Sequence, residues 1–401
     1  MPKRAPVLAD TALTHRSLAP AHARLAAHDD AIIRTQIAVA QIAAPTGEEH
    51  ERAGWVARRF RDAGLLAIHT DDAGNVIGRR DGLEDLPSVA ICAHLDTVFP
   101  RGTDLSIRRD GDRLVGPGIN DNGRGLAVML ALAVEIDGVR LRSRRPIEFV
   151  ATTGEEGIGD LRGAKHYFSQ RGRSAHAVLA LDGAGDERII HRALGSRRFR
   201  VSYGGPGGHS WAAFGSPNAV HAAASAAAQL STVPLPQSPR TTLCVGRIGG
   251  GLSVNSIPDA AWLEIDLRST SATQLDNFER TIRQIAQAAT DDENGKRAVG
   301  TLPLSVRIES IGSRPCGETP VEHSLVQSAI EATRLVGRQP DLALASTDAN
   351  VPISQGIPAI AIGAGGRGGD AHTRGEWFDN LHGTRGVARA LTIVMTTAEL
   401  A

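Results

Sequence analysis

The spacing of apolar positions divides this chain into segments of different texture. From Asp29 onward, Ile32, Ile33, Ile37, Val39 and Ile42 give a helix that Pro45 stops. Thr46 and the acidic pair Glu48-Glu49 read as the cap and first turn of a second helix. That helix runs through Trp55, Val56 and Phe60 and ends near Gly64. Residues 65–69 and 75–79 read as a strand pair, and 106–116 as a hairpin around Asp110-Gly111. The runs 89–93 and 177–181 are wholly apolar, 147–151 is interrupted only by Glu148, and all three are too short for helices and predict buried strands. A helix over 123–136 falls between the first two. Strands alternating with helices up to about residue 190 predict an α/β sandwich with a largely parallel sheet.

The pattern then changes. Residues 196–203 alternate as a strand, 218–230 form an Ala-rich helix, and 241–248 and 260–267 are strands. A helix over 274–289 and a strand over 302–310 complete a strand-helix-strand-strand-helix-strand order, the ferredoxin-like arrangement. From about Cys316 the α/β texture resumes, with a helix over 325–335, a strand over 359–362 and a closing helix from Arg385. The organisation expected is an N-terminal extension over 1–28 and an α/β domain in two parts, 29–194 and 313–401. A small α+β domain over 195–312 is inserted between them.

Composition narrows the partners. Lys+Arg and Asp+Glu number 44 each and cancel, and aromatics are 3%. Both argue against a nucleic-acid surface, and the charge balance also argues against a membrane surface. Cys92, Cys244 and Cys316 are scattered and odd in number, so no disulfide framework is expected, which fits a reducing cytoplasm. There is no apolar leader core and no run of about 18 apolar residues.

The candidate chemistry sits where apolar runs stop. His94 and Asp96 close the first such strand, and positions i and i+2 of a strand share a face. An imidazole backed by a carboxylate suits a metal ligand. Asp121 follows in Gly118-Ile119-Asn120-Asp121-Asn122-Gly123, Glu155-Glu156 in Thr153-Gly154-Glu155-Glu156-Gly157, and Asp182 before Gly183. His372 comes late, in Asp370-Ala371-His372-Thr373. Singly, each has an ordinary reading: Asp121 as a helix cap, the Glu pair as solvated charge, Asp182-Gly183 as a turn, His372 as a loop residue. Together they fall at strand ends or helix starts on one sheet edge, where α/β sheets place ligands. Two His, two Asp and one Glu suit two zinc-like ions sharing a carboxylate, and a further Glu is left to act as base.

On these residues the chain, from about residue 30, resembles a two-metal peptidase and amidohydrolase family. That family includes acetylornithine deacetylase, succinyl-diaminopimelate desuccinylase, glutamate carboxypeptidase, aminoacylase and peptidase T. The resemblance implies a zinc-peptidase-like α/β/α catalytic domain with an inserted ferredoxin-like dimerisation domain. It also implies the roles. His94 and Asp182 hold one ion, Glu156 and His372 the other, and Asp121 bridges. Asp96 orients His94, and Glu155 is the general base. A cis peptide after Asp121 is implied as well. His209, in Gly207-Gly208-His209-Ser210, resembles the histidine that crosses to a partner subunit and stabilises an oxyanion, so a homodimer is expected. The same Gly-rich loop alternatively suits a phosphate. Asn255 and Arg268 match substrate-binding positions, and Arg268 alternatively pairs with Asp266.

The implied activity is hydrolysis of a peptide or amide bond in a small carboxylate-bearing substrate, with di- or tripeptides foremost. A carboxypeptidase or an N-acyl- or N-carbamoyl-amino-acid amidohydrolase is the alternative, and a silent metal-stabilised binding protein the remote one. The implied cofactors are two divalent ions, zinc first, with cobalt or manganese open. A nucleotide-binding reading lacks the Gly-Lys-Ser/Thr loop it needs. The segments Asp121-Asn122-Gly123-Arg124 and Ser346-Thr347-Asp348-Ala349 depart from the common family sequences. They make Arg124, Ser346, Asp348 and Arg367 candidate pocket residues.

Overall fold

A computed structural model describes residues 4–170 and 175–401. The chain divides into two compact units, one formed by the residues up to Ala193 with Glu318–Ala401, the other by Leu194–Gly317.

The first unit is built on a mixed sheet. From one edge its strands run Leu66–Thr70, Val76–Arg80, Ile147–Thr152, Val89–His94, Ala177–Leu181, Ala359–Ile362 and Arg188–Ala193, and Asp341–Ala345 also pairs with Arg188–Ala193. The centre is parallel: Val89–His94 lies between Ile147–Thr152 and Ala177–Leu181, and Ala359–Ile362 continues the direction. Val76–Arg80 and Arg188–Ala193 pair antiparallel with their inner neighbours. The expectation of a largely parallel sheet therefore holds for the centre and fails outside it. The Arg188–Ala193 strand carries charge at Arg188 and Arg192, which hid it from an apolar-run reading.

Alternation assigns the two faces. Val89, Ile91 and Ala93 pack into one core, with the helices Asp29–Ala40, His50–Asp62, Gly123–Gly138, Ser324–Leu335 and Gly383–Thr397. Ala90 and Cys92 pack into a second core with Arg162–Gln170 and Asn350–Ser354. Helices on both faces explain the nearly continuous apolar runs of these strands. None of the described helices is long and apolar enough to cross a membrane.

Several local expectations are corrected. The extension over 1–28 is helical and packed: residues 1–3 lie outside the described residues, and the helices Arg4–Ser17 and Ala19–Ala27 follow. They pack against Ser324–Leu335 and Gly383–Thr397 and bury Leu18, Ala21 and Leu25. Thr46 caps no helix; its hydroxyl donates to Asp96 Oδ2 at 2.8 Å. Asn122, not Asp121, caps Gly123–Gly138, accepting from the Gly125 N–H. The hairpin expected over 106–116 is there, as Arg108–Asp110 and Arg113–Val115, and two strands not expected extend it into a small antiparallel sheet ordered Arg367–Gly369, Trp377–Asp379, Arg113–Val115, Arg108–Asp110. It makes residues 370–376 a hairpin loop.

The second unit is an antiparallel sheet in the order Thr241–Gly250, Ala260–Ser269, Gly195–Gly204, Ser305–Arg314. Phe199, Val201, Tyr203, Leu263, Ile265 and Leu267 face the helices Ala219–Ser231 and Ala272–Gly295. Order and connection are ferredoxin-like. Its loop bearing His209 pairs Gly208–His209 with Ser256–Ile257.

Candidate metal centre

The first unit brings five of the expected residues together. His94 ends its strand, and its Nε2 lies 3.0 Å from Asp121 Oδ1 and 3.9 Å from Asp182 Oδ1. His372 Nε2 lies 3.2 Å from Asp121 Oδ2 and 2.8 Å from Glu156 Oε1. Each oxygen of Asp121 thus faces a different imidazole. Ligand atoms of His94, Asp121 and Glu156 all fall within 4.8 Å of one another. The peptide bond between Asp121 and Asn122 is cis.

The electrostatics follow from that convergence. Burial would lower the His94 imidazole, but Asp121 and Asp96 beside it hold it well above the usual histidine range. Burial would raise Asp121, but His372 and His94 hold it far below the usual carboxylate range. Asp182 is pushed up to about 7 by burial and by the nearby Asp121 carboxylate. Glu156 is raised for the same two reasons. Three carboxylates meeting two imidazoles in the interior carry more anionic character than the imidazoles balance. Such a set fits divalent cations with N/O ligands, and the two oxygens of Asp121 offer one carboxylate to two ions.

The loops that carry these residues are wired to one another through backbone N–H groups. Asp96 was expected to orient His94. Its Oδ1 lies 3.5 Å from His94 Nδ1, while its own carbonyl oxygen is nearer, at 3.1 Å. The carboxylate also accepts from the Glu155 N–H at 2.9 Å and the Glu156 N–H at 3.0 Å. Asn122 Oδ1 accepts from Gly183 N–H and its amide donates to Leu181 O; Asn120 Oδ1 accepts from Ala184 N–H. Asp182 is therefore held by the two residues that flank Asp121. Glu49 accepts from Gly154 N–H and from Arg162. Buried Arg52 donates to Leu95 O, between His94 and Asp96, and to Ile42 O. Glu376 Oε1 accepts from the Asn120 and Asp121 N–H groups and Oε2 from Gly118. Burial pushes Glu376 up to about 7 against the pull of those donors.

Asn120, Asn122, Glu49, Arg52 and Glu376 were missed by sequence reasoning. Two had a legible signal: Asn120 and Asn122 flank Asp121, and a buried polar partner is what a ligand loop needs. Arg124 is corrected. It is fully buried, donates to Ala364 O and Gly383 O, and lies over the Phe378 ring, so it lines no pocket.

In the second unit, His209 is exposed, and its Nδ1 accepts from the Trp211 N–H at 3.2 Å. Asn255 is exposed, and its carbonyl accepts from Ser210 N–H. Arg268 donates to Asp266 Oδ2 at 2.7 Å, the ordinary ion-pair alternative. The Gly-rich loop does not open a helix: Ala219–Ser231 starts ten residues past His209, with Asn218 as its cap. The geometry that a phosphate loop requires is absent there.

Comparison with known proteins places this arrangement. Aminopeptidase PepT from Bacillus cereus superposes with a TM-score of 0.74 at 22% identity, over 92% of this chain and 98% of that one. The YXEP protein of Bacillus subtilis, described as a dinuclear metal-binding peptidase, superposes at 0.63 with 18% identity, over 94% and 99%. At these identities the likeness is one of fold. Carboxypeptidase G2 of Pseudomonas sp. (strain RS-16) is 25% identical over 245 residues, 60% of this chain and 57% of that protein. The chain spans about half the length of the first curated relatives it matches. The model of peptidase family M20/M25/M40 matches residues 90–396, a span that holds all the converging side chains, and the chain belongs to that family.

Proposed function

We propose that this protein hydrolyses a peptide or amide bond in a small, carboxylate-bearing substrate with the help of two divalent metal ions. The carrying observation is Asp121, whose two carboxylate oxygens each face a different imidazole. His94 and Asp182 would hold one ion, Glu156 and His372 the other, and Asp121 both. Zinc leads on its taste for imidazole and carboxylate, with cobalt or manganese as substitutes. When bound, such ions acidify water and polarise a carbonyl.

The chain's own residues supply the rest. Glu155 takes the proton of the attacking water and returns it to the leaving amine. Asp96 fixes the Glu155 and Glu156 backbones, so base and ligand keep one spacing. His209, exposed on its loop beside Trp211 and Phe214, donates to the developing oxyanion of a partner subunit's site in a homodimer. Asn255 and Arg268 engage the substrate carboxylate, and for this Arg268 exchanges part of its Asp266 pairing. The free cysteines Cys92, Cys244 and Cys316 support a reducing, cytoplasmic setting.

The fold shared with aminopeptidase PepT supports a peptide as substrate, with di- and tripeptides first, and the relation to carboxypeptidase G2 supports a carboxypeptidase as the second reading, beside an N-acyl- or N-carbamoyl-amino-acid amidohydrolase. A panel of di- and tripeptides with free and with blocked amino termini, and of N-acyl and N-carbamoyl amino acids, separates them. Turnover is expected first on the peptides with a free amino terminus; turnover on the blocked peptides or on the carbamoyl or acyl compounds alone moves the assignment to the second reading. A silent binding protein would turn over none.

A further inference from the structure

Five side chains converge in the centre, and that of His372 is the most exposed of them. The His372 side chain is half exposed, and its backbone is left-handed at φ 67°, a conformation unfavourable for residues with a Cβ. Something rigid must hold that ring against Asp121 and Glu156. Four residues on, Glu376 is fully buried. Its carboxylate takes three backbone N–H groups of the Asp121 loop: Asn120 and Asp121 at 2.8 Å on Oε1, Gly118 at 3.2 Å on Oε2. Its carbonyl accepts from Gly116 N–H at 2.8 Å, and its own N–H donates to Thr373 O at 3.1 Å. Directly after it, Trp377–Asp379 pairs with Arg113–Val115.

We propose that Glu376 is the positioning residue that sets the distance between His372 and Asp121, and so the spacing of the two ion positions. The inference rests on the two-metal reading above. Carboxylate chemistry is what the position demands. Two oxygens meet three backbone donors. A glutamine keeps one acceptor oxygen, enough for Asn120 and Asp121, and sets an NH2 against the Gly118 N–H. An alanine leaves all three N–H groups unanswered. The expected order of metal binding is therefore wild type, then Glu376→Gln, then Glu376→Ala.

The test is cobalt titration of the chelator-treated full chain, read by visible absorption and by competition with a chelator. The melting midpoint of each metal-free protein is measured alongside. Glu135→Gln serves as the control, since Glu135 is an equally buried carboxylate whose partner is Arg24. Glu376→Gln is expected to weaken cobalt about 10- to 100-fold, as loss of a ligand-orienting partner does, and to shift its visible spectrum. Its metal-free melting midpoint should fall no further than that of Glu135→Gln, whose cobalt affinity should match wild type. Wild-type cobalt affinity and spectrum in Glu376→Gln overturn the proposal. So does an equal loss in Glu135→Gln, or loss of the fold in both Glu376 variants, because either makes the role one of general stability. A wild-type chain that takes up no cobalt overturns the two-metal reading itself.

Discussion

Glu155 is the residue whose replacement separates chemistry from architecture. Glu155→Gln keeps the backbone N–H that Asp96 accepts and removes only the base. The expected outcome is near-normal metal content with turnover reduced about 100- to 10,000-fold, checked by metal analysis beside a peptide assay. Wild-type turnover in that variant would move the base elsewhere. Asn122 gives a structural counterpart. It caps a helix, accepts from Gly183 and donates to Leu181, all in a fully buried position. Asn122→Ala should cost about 1–3 kcal/mol in chemical denaturation, because buried backbone groups lose their partners. At this scale the converging side chains were legible, since His, Asp and Glu stand out at the ends of apolar runs. Their supports were not. Arg52, Glu49 and Glu376 act on loops distant in sequence, and no local pattern in one sequence states which distant N–H a carboxylate will meet.

Among the elements, the N-terminal helices were the least legible. Arg4–Ser17 and Ala19–Ala27 are Ala-rich with few large apolar residues, so their periodicity is weak. What orders them is tertiary. Leu18 and Leu25 are buried, Thr11 donates to Ser328, and Arg24 donates to the buried Glu135. Removing residues 1–28 strands the Glu135 carboxylate and exposes that apolar face. A lower melting midpoint and aggregation on heating are expected, seen by calorimetry and light scattering. The same helices carry a pH dependence. His15 and His22 pack with ring centroids 4.6 Å apart and planes tilted by 45°, and both approach Thr392 Oγ1. Burial, with the neighbouring His15, lowers His22 from about 6.5 to about 4. The unfolded chain then binds this proton first as pH falls, so the stability is present above about pH 6.5 and is lost between there and pH 4. His22→Gln should flatten the fall in melting midpoint between pH 7 and pH 4.5; an unchanged slope would place the titration elsewhere. The central strands, by contrast, were read well, because strands covered on both faces are apolar at most positions. The small sheet carrying His372 was not: Arg367–Gly369 and Trp377–Asp379 are three residues each, too short to show a period.

For the whole molecule, the reading joins a two-part α/β unit, which holds the converging ligands, to a ferredoxin-like unit bearing His209. If His209 completes a partner's site, mixing Glu155→Gln with His209→Ala should restore activity that neither has alone. Random pairing of two-fold dimers leaves about a quarter of sites intact. No recovery on mixing would confine His209 to its own chain or remove its role. The central claim is that these side chains form a two-ion hydrolytic centre. The most direct measurement is peptide hydrolysis by the chelator-treated protein as zinc or cobalt is added back. Activity absent at the start, rising with added metal and levelling at two ions per chain, is the result expected. Full hydrolysis without metal, or two bound ions with no cleavage of any amide in the panel, would contradict it.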